Sequence, residues 1–365
     1  MRIGVLTGGG DVPGLNPAIQ TITRQAADLG WEIVGIRRGW CGLLEFDLND
    51  AEASATTCLS ALTPASVRTI DTLNSTVLQT SRTTLSTLDA RTAHILKVIE
   101  HLELDALIAI GGVHTLAYGA RLQAEGVKIN TIPKTMDNDV FGTDYCIGFS
   151  TAVSRSVDAI NALRTPAGSH ERVGFVELFG RKSGETALMS GYLADARRVL
   201  IAEVPFDMER LADMLMKDRA DNPSNYTMAV ISEGARIEGS NAVEYGDLDA
   251  SGERRLGGIS DTVSEEFKRL TGAGTISQKL AYLMRTGTPD ALDTMVARSM
   301  GARAVQHLQQ GEAGVMMAVR NGAYESVPVS TCTEGQRRVD VAAYYDANEY
   351  RPNIHNINEK PMFLG

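Results

Sequence analysis

The 365-residue sequence has little cysteine, few aromatic residues and no long apolar run. Its four cysteines, Cys41, Cys58, Cys146 and Cys332, are widely separated, and no histidine lies near them at metal-ligand spacing. This pattern argues against a metal site built on cysteine and predicts reduced thiols, as in a cytoplasmic protein. No stretch approaches the roughly 20 apolar residues of a transmembrane helix. No signal-peptide pattern is visible at the N-terminus.

Basic residues are also in deficit, since 35 Lys and Arg against 45 Asp and Glu give a net charge of −10. This acidity argues against nucleic acid as the main partner, because a phosphate backbone requires a basic surface. A small anionic ligand remains compatible with it, because such a ligand needs only a local cluster of cations and backbone N–H groups. The length fits about two domains.

Short apolar runs alternate with amphipathic segments along the chain, which predicts an α/β protein with mainly parallel sheets and helices on both faces. The predicted strands are Ile3–Leu6, Trp31–Ile36, Ala106–Ile110, Ile129–Ile132, Val173–Leu178, Val199–Val204, Met228–Ser232 and Val315–Val319. The predicted helices are Leu15–Leu29, Ala93–Leu102, Thr151–Leu163, Met208–Met216, Thr262–Leu270 and Leu292–Leu308. The alternation resumes after residue 150, which favours two halves, and the polar stretch Arg236–Gly258 is predicted to be a surface excursion.

Two glycine turns follow predicted strands, at Gly8–Gly10 and at Gly111–Gly112. Glycine allows the backbone to approach an anion, and the helix that follows presents free N–H groups and the positive end of its dipole. Plain strand-to-helix turns are the alternative, because glycine serves those as well. Neither turn matches G-x-x-x-x-G-K-[ST], and the dinucleotide pattern is weak.

The densest polar cluster is Pro133-Lys134-Thr135-Met136-Asp137-Asn138-Asp139, directly after a predicted strand. One carboxylate there can take a proton from an attacking hydroxyl, and the other can hold a metal ion that bears phosphate oxygens. A solvated loop is the alternative. Further Arg-containing segments, which together would form a phosphate clamp, are Ser169–Arg172, Phe179–Arg181 and Tyr282–Arg285, and Ser232-Glu233-Gly234 adds a carboxylate.

In their order along the chain, GVLTGGGDVPGLN, PKTMDND, GTDYCIGF, SHERV, VELFGR, ISEGAR and YLMRTGTPDALD resemble the phosphofructokinase family, from residue 2 to about residue 320. The resemblance implies two Rossmann-like α/β domains with the active site in the cleft between them. Residues 1–148 plus 284–334 would bind the phosphoryl donor, and residues 149–283 plus 335–365 would bind the sugar phosphate.

The resemblance also implies roles for individual residues. Asp137 would be the base that deprotonates the 1-hydroxyl of fructose 6-phosphate, with Lys134 and Arg82 assisting catalysis and Asp139 supporting Mg²⁺. The donor-binding residues would be Gly9, Gly10, His114 and Thr115. The substrate-binding residues would be Thr135, Met136, Asp137, Arg172, Phe179, Gly180, Arg181, Glu233, Tyr282 and Arg285. Arg172 would reach a neighbouring subunit, which implies a homodimer or homotetramer.

Lys134 bears on the choice of donor. Members of the family that use ATP have glycine at this position, whereas those that use pyrophosphate have lysine, and the YLMR segment is also similar to the pyrophosphate branch. An ammonium group neutralises the charge of inorganic pyrophosphate, which has no nucleoside. The favoured prediction is therefore reversible transfer from pyrophosphate to fructose 6-phosphate, a step of glycolysis, with an ATP-dependent enzyme as the alternative.

One turn departs from the family pattern, because Val113 and His114 stand where a metal-binding aspartate and a following glycine or aspartate are expected. An isopropyl group cannot replace a carboxylate near Mg²⁺. The departure supports a second hypothesis, a non-catalytic or altered relative that binds sugar phosphate within an oligomer. A kinase for another sugar phosphate, such as sedoheptulose 7-phosphate, is a third.

Overall fold

A computed structural model describes residues 1–247 and 254–353. The strands are β1 Arg2–Gly8, β2 Glu32–Ile36, β3 Leu59–Leu62, β4 Ala106–Gly111, β5 Ile129–Pro133, β6 Val173–Leu178, β7 Arg198–Leu200, β8 Thr227–Ser232, β9 Glu244–Tyr245, β10 Arg255–Leu256, β11 Thr275–Lys279, β12 Val315–Arg320, β13 Ala323–Pro328, β14 Tyr345–Asp346 and β15 Arg351–Pro352. The helices are α1 Leu15–Asp28, α2 Trp40–Leu44, α3 Ala51–Cys58, α4 Leu85–Ala90, α5 Thr92–His101, α6 Val113–Ala124, α7 Phe149–Ser169, α8 Glu185–Leu193, α9 Met208–Asp221, α10 Ile259–Thr271, α11 Ala291–Gln309 and α12 Val341–Tyr344.

The first sheet has seven strands in the order β13-β12-β5-β4-β1-β2-β3. Its central pairs are parallel, and only the two outermost pairs, β12 with β13 and β2 with β3, are antiparallel. All six residues of β4 are buried. This is why β4 is a continuous apolar run rather than an alternating one, since helices cover both faces of a parallel sheet.

The second sheet has four parallel strands in the order β11-β6-β8-β7. Every residue of β6 and β8 is buried. Helices α7 and α8 pack near this sheet, and α8 is buried along nearly its whole length, from Glu185 to Gly191.

The strand register brings the candidate loops together. In the first sheet, Gly8 at the end of β1 pairs with Gly111 of β4, and Gly111 pairs with Pro133 of β5. In the second sheet, Leu178 at the end of β6 pairs with Ser232 of β8. Because ligands bind beyond the carboxyl ends of parallel strands, these two rows of strand ends define where a site can form.

The predicted α/β class with mainly parallel sheets is confirmed, and most of the predicted strands and helices are present. The strand predicted at Val199–Val204 is wrong in its extent, because β7 ends at Leu200. The part of Arg236–Gly258 that the structure describes is largely exposed and includes β9 and β10. Among the described residues, no helix has the length and apolar character needed to cross a membrane. The domain division 1–148 plus 284–334 and 149–283 plus 335–365 stays a prediction, and residues 354–365 lie outside the described part.

Candidate active site

A cavity of about 450 Å³ lies at the strand ends of both sheets and collects most of the predicted residues. The predicted residues that line it are Gly9, Gly10, Arg82, His114, Thr115, Lys134, Thr135, Asp137, Asp139, Phe179, Arg181, Glu233, Tyr282 and Arg285. Residues that are 276 positions apart in the chain therefore meet at one site.

Three predicted substrate-binding residues do not line this cavity. Met136 is buried, and its carbonyl oxygen accepts a hydrogen bond from Thr186 Oγ1. Gly180 has φ of 139° and packs against Ser232, so it shapes the backbone rather than the cavity wall. Arg172 is exposed, and its predicted role toward a neighbouring subunit is untested by the single chain.

The turn after β1 is tightly bound to the segment that carries Arg82. The Gly9 N–H donates to the carbonyl oxygen of Ser81 at 2.9 Å, and Thr80 Oγ1 donates to the Gly9 carbonyl at 2.7 Å. The Gly9 N–H is thus used within the chain, and the donor-binding role of Gly9 stays a prediction. These bonds hold Arg82 at the cavity.

Lys134 lines the cavity next to the turn after β1. It is only 2% exposed, and its Nζ donates to the Gly10 carbonyl oxygen at 2.5 Å. Burial, together with the nearby Arg285 guanidinium, lowers the pKa of Lys134 to about 7. Near neutral pH Lys134 is therefore only partly protonated, and an anion placed beside it favours the charged form.

Asp137 is a half-buried carboxylate on the loop after β5. Its Oδ1 is buried and has no hydrogen-bond partner among the described residues, an arrangement that costs free energy unless a ligand satisfies it. Burial and the neighbouring Asp139 raise the pKa of Asp137 to about 6, against the lowering effect of Arg285 and Arg181. A carboxylate with this pKa is suited to accept a proton near neutral pH.

Glu233 faces the site from the second sheet. Its backbone N–H is bound to the Leu178 carbonyl at 2.8 Å, which fixes it beyond the end of β8. Burial, and after it the charge of Asp137, raises the pKa of Glu233 to about 8. Near neutral pH Glu233 is therefore largely protonated and can donate a hydrogen bond into the cavity.

Arg285 connects the two ends of the cavity. Its guanidinium lies over the Phe179 ring at 5.0 Å, and Nη1 donates to the Asp11 carbonyl at 3.4 Å. The Phe179 ring also packs edge-on against Tyr282, whose side chain is largely exposed. Arg285, a predicted substrate-binding residue, therefore also contacts the turn after β1.

Val113 and His114 begin α6. Val113 is half-buried and packs against an apolar cluster that contains Leu116, Val140 and Met316, whereas His114 is exposed at the cavity. Among the described residues, no group of three or more His, Cys, Asp or Glu could hold a metal ion. Position 113 thus has no carboxylate, and the part of the chain that the structure describes supplies no compensating cluster around it.

Sequence reasoning missed several residues at the site. Trp40, Glu177 and Gln336 line the cavity, and the Glu177 carboxylate accepts from the N–H groups of Gly258 and Ser260 at the start of α10. Asp11, directly after the first glycine turn, had no predicted role, although its charge raises the pKa of Lys134 against the effect of burial. No local pattern marks these residues, because tertiary contacts alone bring them to the cavity.

Comparison with known proteins shows the family. A profile described as Phosphofructokinase matches residues 2–308. The chain belongs to the phosphofructokinase family. Pyrophosphate--fructose 6-phosphate 1-phosphotransferase of Dictyoglomus thermophilum is 37% identical over 350 residues, which cover 95% of this chain and 97% of that protein. ATP-dependent 6-phosphofructokinase of Chloroflexus aurantiacus is 37% identical over 347 residues, with coverages of 93% and 92%.

Solved structures support the same fold. The pyrophosphate-dependent phosphofructokinase of Marinobacter aquaeolei superposes with a TM-score of 0.80 at 17% identity, covering 100% of this chain and 92% of that chain. This likeness concerns the fold alone. The family resemblance and the α/β fold are therefore confirmed, and this chain is a phosphofructokinase-family enzyme. Its similar relatives have names for both pyrophosphate and ATP as donor.

Proposed function

We propose that this phosphofructokinase-family enzyme transfers a phosphoryl group from pyrophosphate to the 1-hydroxyl of fructose 6-phosphate, giving fructose 1,6-bisphosphate. The observation that carries the choice of donor is Lys134, a buried ammonium group bound to the Gly10 carbonyl. Relatives named pyrophosphate--fructose 6-phosphate 1-phosphotransferase add support.

The donor end of the cavity is strongly cationic. The charges of Lys134, Arg285 and Arg82 are close enough that each of the two arginines lowers the pKa of the lysine. Such a cluster is costly when empty and is stabilised by an anion of high charge density. Pyrophosphate has that charge in a small volume, and a nucleoside would bring additional bulk past the exposed His114.

The acceptor end supplies the proton chemistry. Asp137 would take the proton of the attacking hydroxyl, and its unpartnered Oδ1 is the atom offered for that purpose. Glu233, in its protonated form, would donate to a hydroxyl of the sugar, and Arg285, Arg181 and Tyr282 would hold the acceptor. Catalysis would rest mainly on positioning and on stabilisation of charge in the transition state.

Mg²⁺ fits the residues that are present, but only together with substrate. Mg²⁺ is commonly bound by one or two carboxylates plus substrate phosphates, and Asp139 with Asp137 supplies two carboxylates on one loop that lines the cavity. When bound, Mg²⁺ would neutralise charge on the transferring phosphoryl group. Asp139 is the residue we assign to hold it.

The remaining parts of the proposal concern assembly and setting. The reaction is proposed to be reversible, with inorganic phosphate as the second product. We infer a homodimer or homotetramer in the cytoplasm, with the exposed Arg172 reaching the sugar phosphate of a neighbouring subunit.

A coupled assay that measures fructose 1,6-bisphosphate tests the proposal. The enzyme is given fructose 6-phosphate, Mg²⁺ and either pyrophosphate or ATP, and the Asp137→Asn variant is run in parallel. We expect turnover with pyrophosphate at least tenfold above that with ATP. Faster turnover with ATP would establish the second candidate, an ATP-dependent 6-phosphofructokinase, in agreement with the relatives of that name.

The half-buried Val113 favours one further candidate, an altered relative that binds sugar phosphate without turnover. Calorimetric binding of fructose 6-phosphate in the absence of turnover with either donor would support it. Turnover of the unmodified enzyme above that of Asp137→Asn excludes it.

A further inference from the structure

The loop that carries Asp137 and Asp139 is enclosed by residues that no sequence motif indicated. Asn138 lies between the two aspartates with φ of 52°, a left-handed conformation that costs free energy for a residue other than glycine. Its side chain is fully buried, with Nδ2 donating to Glu185 Oε1 at 3.1 Å and to the Asp144 carbonyl at 2.9 Å. The Cys146 N–H donates to Asn138 Oδ1 at 2.8 Å. The strained conformation is thus maintained by side-chain bonds.

Arg337 fixes the groups that hold Asn138. Its guanidinium donates to both carboxylate oxygens of Glu185, at 3.0 and 3.1 Å, and to Asp144 Oδ1 at 3.1 Å. Glu185 is only 3% exposed, so Arg337 is the counter-charge of a buried carboxylate. A bidentate Arg–carboxylate pair is rigid as well as strong.

The segment around Arg337 also contacts the loop directly. The Arg337 N–H donates to the Asp139 carbonyl at 3.2 Å, and Gln336 Nε2 donates to Asp139 Oδ2 at 3.3 Å. Glu203 accepts from the N–H groups of Val339 and Gly184, which ties the segment to the start of α8. The loop after β5, helix α8 and residues 336–339 therefore form one hydrogen-bonded unit.

We propose that Arg337 is a positioning residue for phosphoryl transfer: through Glu185 and Asn138 it fixes the orientation of the loop that presents Asp137. This inference rests on the proposed function. Arg337 is not among the residues that line the cavity, so it acts on the reaction only through the loop. A reacting group displaced by about 1 Å can lower the rate by about 10²-fold.

Variants of Arg337 distinguish an effect on the position of the Asp137 loop from an effect on the stability of the protein. Arg337→Met alone leaves Glu185 buried without its counter-charge and is expected to lower the melting temperature. Arg337→Met combined with Glu185→Gln removes the charges of the buried pair while keeping a carbonyl oxygen for Asn138, and it leaves only the part-exposed Asp144 without its partner. Replacing both partners of a buried pair often restores stability. In this double variant we expect the melting temperature to recover while kcat stays about 10- to 100-fold low, with KM for fructose 6-phosphate within threefold.

A matched control uses a buried arginine, Arg198, whose Nε lies 2.6 Å from Asp218 Oδ2 and which, like Arg337, also pairs with a second, more exposed carboxylate, that of Glu349. Arg198→Met with Asp218→Asn is the same kind of double change in β7 and α9, and kcat is expected to stay within threefold of the unmodified enzyme. Arg337→Lys keeps the positive charge but cannot form the bidentate pair with Glu185. Its kcat is expected to lie between those of the unmodified enzyme and of the double variant.

Hydrogen–deuterium exchange provides a readout that does not depend on turnover. Peptides that cover residues 134–147 are expected to exchange faster in the Arg337→Met, Glu185→Gln variant than in the unmodified enzyme, with no change in the control variant. If kcat recovers together with the melting temperature, or if exchange in these peptides is unchanged, Arg337 is only structural and the proposal is overturned. If the unmodified enzyme turns over neither donor, the proposed function fails, and exchange alone then decides the role of Arg337.

Discussion

The ammonium group of Lys134 donates to the Gly10 carbonyl oxygen at 2.5 Å, which places a buried cation against the turn at the end of β1. The two residues are 124 positions apart in the chain, and the pairing of β1 with β4 and of β4 with β5 brings them together. Without an anion the cation is poorly solvated, which is why burial lowers the pKa of Lys134 to about 7.

The pKa of Lys134 predicts how donor binding depends on pH. Because this pKa is lowered, the amine loses its proton as pH rises through about 7. If only the protonated form binds pyrophosphate, KM for pyrophosphate rises by about fivefold between pH 7 and pH 8. Steady-state kinetics in the Lys134→Arg variant provides the control, because arginine stays protonated. The same slope in both enzymes would show that the pH dependence comes from another group.

Asp137 is predicted to be the general base. We expect Asp137→Asn to lower kcat by about 10³-fold, within the range that general-base catalysis contributes, while KM for fructose 6-phosphate changes little. The exposed Asp213 on α9 provides a matched control, and Asp213→Asn is expected to keep full activity. Turnover of Asp137→Asn within tenfold of the unmodified enzyme would exclude the assigned role.

Replacement of Gly10 by a residue with a side chain is predicted to lower activity without unfolding the protein. A methyl group at this position would overlap Arg285 Nη1, so Gly10→Ala displaces the guanidinium from its place between the turn and Phe179. Since misplacement of a binding group can cost about 10²-fold in rate, we expect kcat/KM to fall by about that factor, with the melting temperature within a few degrees of normal. Unchanged kinetics in Gly10→Ala would mean that Arg285 moves freely and is not needed where it lies.

Substitution of Val113 tests whether the departure from the family pattern weakens the binding of Mg²⁺. Val113→Asp places a carboxylate in the first turn of α6, where the helix dipole favours negative charge. We expect the Mg²⁺ concentration for half-maximal activity to fall by about tenfold, a change of about 1.4 kcal/mol in binding. Val113→Asn has similar bulk without the charge and is expected to show no such shift. An equal effect in both variants would point to packing against the apolar cluster instead.

The periodicity of the chain was sufficient for the buried parallel strands. The predicted Ala106–Ile110 lies within β4, and Met228–Ser232 lies within β8, because such strands are uniform apolar runs bounded by turn residues. Helix α8 was missed, since it is buried on nearly all sides and shows no polar face. Strand β11 was missed because Thr275–Lys279 is a half-polar edge strand of the second sheet.

The sequence by itself determined the family and the α/β class and predicted most of the residues that line the cavity, because PKTMDND and the glycine turns are local patterns. Only the tertiary structure decided which groups meet and in what state. Burial of Lys134 and Asp137, and the contact of Arg285 with both ends of the cavity, depend on strand register and on segments far apart in the chain. The link between Arg337 and the loop that carries Asp137 also depends on the tertiary structure, because it passes through Glu185 of α8. Desolvation and long-range hydrogen bonds have no signature in local sequence.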